Sequence, residues 1–174
     1  MAAGSTWLVW AMLAGGGASH VQGAAVMGSL AAERPLGSWV AFEGDVGAGG
    51  MGPQKSGMTI NRFALGLKVG PQHPTVRPYL WIAGAHMHEV LYDDVRNHLA
   101  GVLSASETAG VHHRTGAEAG LGVEWPALLG ATTGVSFIDR MESQARISVI
   151  AMPGLEKSPT REYVMGELSL GYRF

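Results

Sequence analysis

Histidine is unevenly spread along this chain, and imidazole is the side chain that changes charge nearest neutral pH. Five of the seven histidines lie between positions 86 and 113: His86, His88, His98, His112 and His113. The acids Glu89, Asp93 and Asp94 are close in sequence. Imidazole nitrogens with carboxylate oxygens form a ligand set for Zn²⁺, Ni²⁺ or Cu²⁺. Folding the chain back about residues 92–108 brings His88 near His112 and His86 near Arg114. Strand alternation then puts His86, His88 and His112 on one inward face near a rim, and these three are the candidate metal ligands. The competing reading is a wet, histidine-rich rim whose charge follows pH. A one-residue slip of register would carry these groups to the other face.

A second set of charges is spread over the whole chain. Glu43, Asp45, Arg62, Lys68, Glu118, Glu124, Glu167 and Arg173 all fall on the polar faces of alternating segments. A hairpin about residues 48–57 puts Glu43 roughly opposite Arg62. If these faces point into a narrow interior, the charges must be paired. The expectation is an internal salt-bridge plug, with a charged, porin-like conduction path as its rival. For nucleophilic catalysis the chain offers Ser104, Ser106 and Ser136 alongside His112 and His113. Cysteine is absent, which removes disulfides, thiol nucleophiles and thiolate metal sites. Gly47 to Gly50 lacks the following helix that phosphate binding needs. No catalytic residue and no cofactor are expected.

The elements that would position these groups are strands. Val164, Gly166, Leu168, Leu170, Tyr172 and Phe174 share one face of the last segment, while Met165, Glu167, Ser169, Gly171 and Arg173 share the other. The segments 58–69 and 109–125 alternate as cleanly: Phe63, Leu65 and Leu67 oppose Arg62 and Lys68, and Leu121, Val123 and Trp125 oppose Glu118 and Glu124. Further strands are expected over 24–33, 38–47, 77–91, 132–152 and 161–174, with the extended stretch 132–152 open to division in two. Residues 34–37, 48–57, 70–74, 126–130 and 153–160 read as turns or loops by their Gly and Pro content. The connection 92–108 is polar, with a short helical stretch conceivable over Val95 to Leu103.

A length of 174 residues suits one domain, of which hydrophobic residues make up 47% and charged residues 15%. Scattered Lys and Arg give no nucleic-acid footprint. Trp7 to Ala14 is an apolar run too short to cross a bilayer as a helix. It suits a signal-peptide core or a first strand, although no Lys or Arg precedes it. The division is therefore residues 1–23, signal peptide or first strand, and residues 24–174, the barrel domain. Strands with one greasy and one polar face fit a barrel wall in lipid. A soluble barrel would turn its apolar face inward instead.

Three stretches resemble the small outer-membrane β-barrel proteins of Gram-negative bacteria, of the OmpA-like and porin-family type. Gly116 to Trp125 (GAEAGLGVEW) is similar to the Gly-x-Gly-x-Glu-aromatic strand before a periplasmic turn. Arg77 to Ala85 (RPYLWIAGA) resembles the Pro-Tyr-x-x-x-Gly-x-Gly strand, departing where His86 follows Ala85. Leu168, Leu170, Tyr172 and Phe174 resemble the C-terminal assembly signal. The resemblance covers roughly residues 24–174. It implies an all-β, transmembrane, antiparallel up-and-down barrel of about eight strands, in the bacterial outer membrane. It also implies outer-membrane lipid, lipopolysaccharide and the barrel-assembly machinery as partners of a monomer. The direction it implies puts the 48–57, 92–108 and 153–160 connections outside, and a girdle of Trp125, Tyr172, Phe174 and Tyr79 at the periplasmic boundary. The role it implies is structural, surface-interacting or narrowly porin-like. Lipid-A-modifying enzymes share this architecture, but the His-x-Ser-Asn strand motif of the deacylases does not occur here. A metal-binding barrel with a histidine-rich rim is the other alternative.

Overall fold

The computed structural model describes residues 7–53, 57–71, 75–91, 111–127, 133–153 and 160–174. The chain forms the strands β1 (Leu8–Ala18), β2 (Ala25–Pro35), β3 (Val40–Met51), β4 (Met58–Val69), β5 (Arg77–Leu91), β6 (Val111–Pro126), β7 (Met141–Met152) and β8 (Arg161–Arg173). Each strand pairs antiparallel with the next, and β1 pairs with β8 to close an eight-stranded barrel. Closure removes the unpaired edges that an open sheet must protect. At the seam Leu8 stands opposite Arg173 and Ala18 opposite Tyr163. Beyond it, the Phe174 amide donates to the Trp7 carbonyl at 2.9 Å.

The eighth strand is β1, drawn from the segment read as either signal core or strand. It has no polar face: Leu8, Trp10, Met12 and Ala14 are buried in the lumen, while Val9, Ala11 and Leu13 face out. The stretch 132–152 is not two strands. Among its described residues, Ile138–Arg140 is a single 3-10 turn, and β7 starts at Met141. The connection at this end therefore runs from Ala127 to Arg140 rather than closing by 130. β3 also runs through Ala48 to Met51, which composition assigned to a loop. A Cβ on Gly49 would stand 2.1 Å from the Val26 carbonyl oxygen, so only glycine lets β3 lie this close to β2. The whole of the 92–108 connection, with its expected helical turn, lies outside the described residues.

Burial alternates along the strands, most regularly in β1, β2 and β8. The exposed face is the greasy one. Leu13, Leu65, Leu121 and Leu168 sit mid-strand on four walls and are 63, 63, 65 and 67% exposed. A water-soluble surface rarely carries so continuous an apolar belt, and the reverse arrangement would hold in a soluble barrel. Both ends of the described chain lie at the same end of the barrel. There Phe137 stacks on Tyr172 with ring centroids 4.9 Å apart, and Tyr172 meets Phe174 edge-on at 5.0 Å. Trp39 and Phe174 are exposed at this end. Tyr79, expected in this girdle, is instead buried in the lumen, because β5 turns its odd-numbered residues inward.

Candidate functional site

The lumen is filled by side chains from every wall. Near the end that carries the termini, Lys68 Nζ lies 2.7 Å from Glu33, 2.6 Å from Glu43 and 2.7 Å from Glu124. It also donates to Gln144 Oε1 at 2.6 Å. Glu43 in turn accepts from Arg146 at 2.7 Å, and Arg146 reaches Glu167 at 3.0 Å. Arg77 joins Glu124 to Glu142, and Arg173 meets Glu142 at 3.0 Å. Arg62 pairs with Asp45 at 2.7 Å and with Glu118, which lies two strands away on β6. All eight residues expected on the charged inner face thus belong to ion pairs. The expected Glu43–Arg62 pair is corrected: Arg62 stands opposite Gly47 in the β3–β4 register, which brings it to Asp45.

Glu33, Glu89, Glu142, Arg77, Arg114, Arg146 and Arg161 complete the set and lie outside the eight interior charges expected from sequence, where Glu89 reads instead as a carboxylate beside the histidines. Arg146 was legible, since it opposes Ile147 on an alternating strand. Glu33 was not, because β2 alternates weakly. Among the described residues eight carboxylates meet seven cations, so the interior is close to neutral. Burial of so many charges is tolerable only with this pairing, because an unpaired buried charge is strongly destabilising.

Aromatic rings and thioethers fill the rest. Lys68 Nζ sits 5.0 Å from the Trp10 ring and 4.8 Å from the Tyr79 ring, and Arg146 lies 4.9 Å from the Trp81 ring. These are cation–π distances. The inner glycines make room for the rings. A Cβ on Gly122 would stand 2.2 Å from the Tyr79 ring, and one on Gly171 would stand 2.5 Å from that of Trp10. Toward the opposite end Met27, Met51, Met58, Met87, Met152 and Met165 form an apolar layer with Ile60, Ile150 and Tyr163. Beyond it Glu89 is held by Arg114 and Arg161, each at 2.9 Å, and by the Tyr163 hydroxyl. Among the described residues, one void of about 10 Å³ lies beside Lys68 and Tyr79 and another of about 10 Å³ in the methionine layer. Each is at the lower limit for a single water.

The histidines are arranged differently from the sequence expectation. β5 points Met87 and Glu89 inward, so His86 and His88 lie on the outer wall. In the β5–β6 register His88 pairs with His113, Met87 with Arg114, and Glu89 with His112. His112 therefore shares the inward parity of Arg114 and is exposed at the rim, apart from the other two. The cluster that forms is His86, His88 and His113, whose nearest ligand nitrogens all lie within 4.8 Å of one another. The one-residue difference in pairing exchanges His112 for His113, and the reversed parity of β5 moves the group from lumen to wall. His98, Ser104, Ser106, Asp93 and Asp94 lie outside the described residues. Ser136 lies in the connection at the far end of β6 from His112 and His113, too distant to act with them.

No protein-family model matches the chain, and no curated protein matches it in sequence. Solved structures do match in shape. Neisserial surface protein A superposes with a TM-score of 0.62 at 14% identity, covering 98% of this chain and 96% of that one. Ail, the attachment invasion locus protein of Yersinia pestis, solved with the heparin analogue sucrose octasulfate, gives 0.60 at 10% identity and covers 98% of both chains. The N-terminal barrel domain of Pseudomonas aeruginosa OprF gives 0.52 at 18% identity with 97% of both covered. The fold is that of the small eight-stranded transmembrane barrels, as the strand patterning implied.

Proposed function

We propose that the chain is a bacterial outer-membrane protein with a sealed lumen, acting without catalysis as a structural or surface-interaction barrel. The observation that carries this reading is the Lys68 cluster. One ammonium group ties together carboxylates from β2, β3 and β6, and the neighbouring Arg146 extends the same network to β8. Among the described residues such packing supports a lumen closed to a hydrated ion, and barrels of about eight strands are just wide enough for side chains to fill. The apolar belt and the aromatic residues at the terminal end support a membrane setting.

The partners in this reading are outer-membrane lipid and lipopolysaccharide along the belt, and the barrel-assembly machinery at β8. Leu168, Leu170, Tyr172 and Phe174 present an outward row for that machinery on the seam strand. The rim opposite the termini carries the connections 19–24, 52–57, 92–110 and 153–160, and it is the surface offered to partners. Membrane fractionation with heat-modifiable gel migration tests the location. Planar-bilayer recording tests the seal. Appearance of the folded protein in the soluble fraction would contradict the location, and discrete conductance steps would contradict the seal.

A further inference from the structure

The outer wall carries a cluster that neither the filled lumen nor the apolar belt requires. His86 and His88 stand on the outer face of β5, and His113 stands beside them on β6. His86 Nε2 lies 2.9 Å from His88 Nε2. The His88 and His113 ring centroids are 4.3 Å apart. Nitrogens bound to one tetrahedral Zn²⁺ at about 2.0–2.1 Å are about 3.3 Å from each other. The three ligand nitrogens lie within 4.8 Å of one another, so binding would have to draw the widest pair closer by ring rotation.

Two further observations point to a ligand. His113 Nε2 is buried and has no hydrogen-bond partner among the described residues, a costly state for an imidazole nitrogen. His86 Nδ1 lies 3.0 Å from Thr115 Oγ1. With its proton on Nδ1, donated to that hydroxyl, His86 holds its Nε2 lone pair toward the cluster, as metal-binding histidines do. The ligands come from paired strands rather than loops, so the backbone is already in place. An all-imidazole set favours Zn²⁺, Ni²⁺ or Cu²⁺ over Mg²⁺ or Ca²⁺.

We propose that His86, His88 and His113 form a three-histidine site for a divalent transition metal on the outer wall, near the rim opposite the termini, with the fourth position left to water. Zn²⁺ alone, titrated calorimetrically into the full chain folded in detergent micelles, tests it. One saturable site per chain is expected, and Co²⁺ in its place should give the visible absorption of tetrahedral coordination. His88→Ala and His113→Ala should each weaken Zn²⁺ binding by at least the roughly 10–100-fold that loss of even an outer-shell partner causes. His112→Ala should leave it unchanged. Folding of each variant is checked by heat-modifiable migration, and His86→Ala replaces His88→Ala should the latter not fold. The absence of saturable Zn²⁺ binding to the folded chain would overturn the site. So would binding that survives His113→Ala, or that falls equally with His112→Ala.

Discussion

Lys68 Nζ lies 2.6 Å from a carboxylate oxygen of Glu43, and both groups are buried inside the barrel. Glu43 also stands directly across from Glu33 in the β2–β3 register. Two like charges facing each other across a strand pair destabilise a sheet. The Lys68 ammonium, 2.7 Å from Glu33, converts that repulsion into a bridge. The same ammonium reaches Glu124 on the far side of β5, so one side chain braces three walls.

Replacing Lys68 by Met should therefore leave several buried carboxylates short of a cation. The expected loss is about 3–5 kcal/mol of stability, the cost of breaking a buried pair from one side. Urea unfolding in lipid vesicles measures it. Neutralising the acids as well, with Glu33→Gln and Glu43→Gln on the Lys68→Met background, should recover part of the loss. A Lys68→Met change within about 0.5 kcal/mol, the range of a surface substitution, would mean the cluster is solvated.

Gly122 is the socket for the Tyr79 ring, which leaves no space for a methyl group. Gly122→Ala should destabilise by about 1–3 kcal/mol through overpacking. Tyr79→Leu should relieve most of that in the double variant, although it removes the ring beside Lys68. An additive double-variant cycle, read by the same unfolding assay, would show that the two side chains do not share space.

Leu65 is mid-strand on the outer wall of β4. In a bilayer, Leu65→Arg should cost about 2–4 kcal/mol, as a basic group near the lipid midplane does. On a water-facing wall the same change would be within about 0.5 kcal/mol of neutral. Unfolding measured in vesicles separates the two outcomes, and a neutral result would remove the lipid-facing assignment.

How far the sequence could be read depends on whether the two faces of a strand differ in polarity. In β4, β6 and β8 they do, and the inner placement of Arg62, Lys68, Glu118, Glu124 and Glu167 follows directly. In β5 they do not. Tyr79, Trp81, Ala83, Ala85 and Met87 face in while Leu80, Ile82 and Gly84 face out, so the middle of both faces is apolar or small, and the inward charges Arg77 and Glu89 are offset by the outward polar His86 and His88. That is why alternation alone points Tyr79 to the girdle and the histidines to the lumen, the reverse of the structure. β1 is ambiguous for the same reason, since the lumen beside it is lined by Trp10 and Met12 rather than charges. In β3, glycine marks close strand contact where composition alone indicates a loop. Register at the β5–β6 hairpin depends on a long connection that carries no turn signal, so His112 and His113 could not be told apart.

The place of β1 makes a further prediction. Its loss would leave β2 and β8 without the strand that joins them. The membrane-embedded protein should therefore retain residues 8–18, and intact-mass or N-terminal sequencing of material from the outer membrane should show them. A chain beginning near residue 24 would require β2 and β8 to close a different barrel.

The most direct measurement of the central claim is single-channel recording from the purified barrel in planar bilayers. On the proposed reading, the interlocked pairs of Lys68, Glu43, Arg146 and Glu167, packed against Trp10, Tyr79 and Trp81, close the lumen among the described residues. The expected record is a silent bilayer containing protein that is demonstrably inserted and folded. Discrete, reproducible conductance steps from that protein would show that the lumen opens, and they would contradict the account.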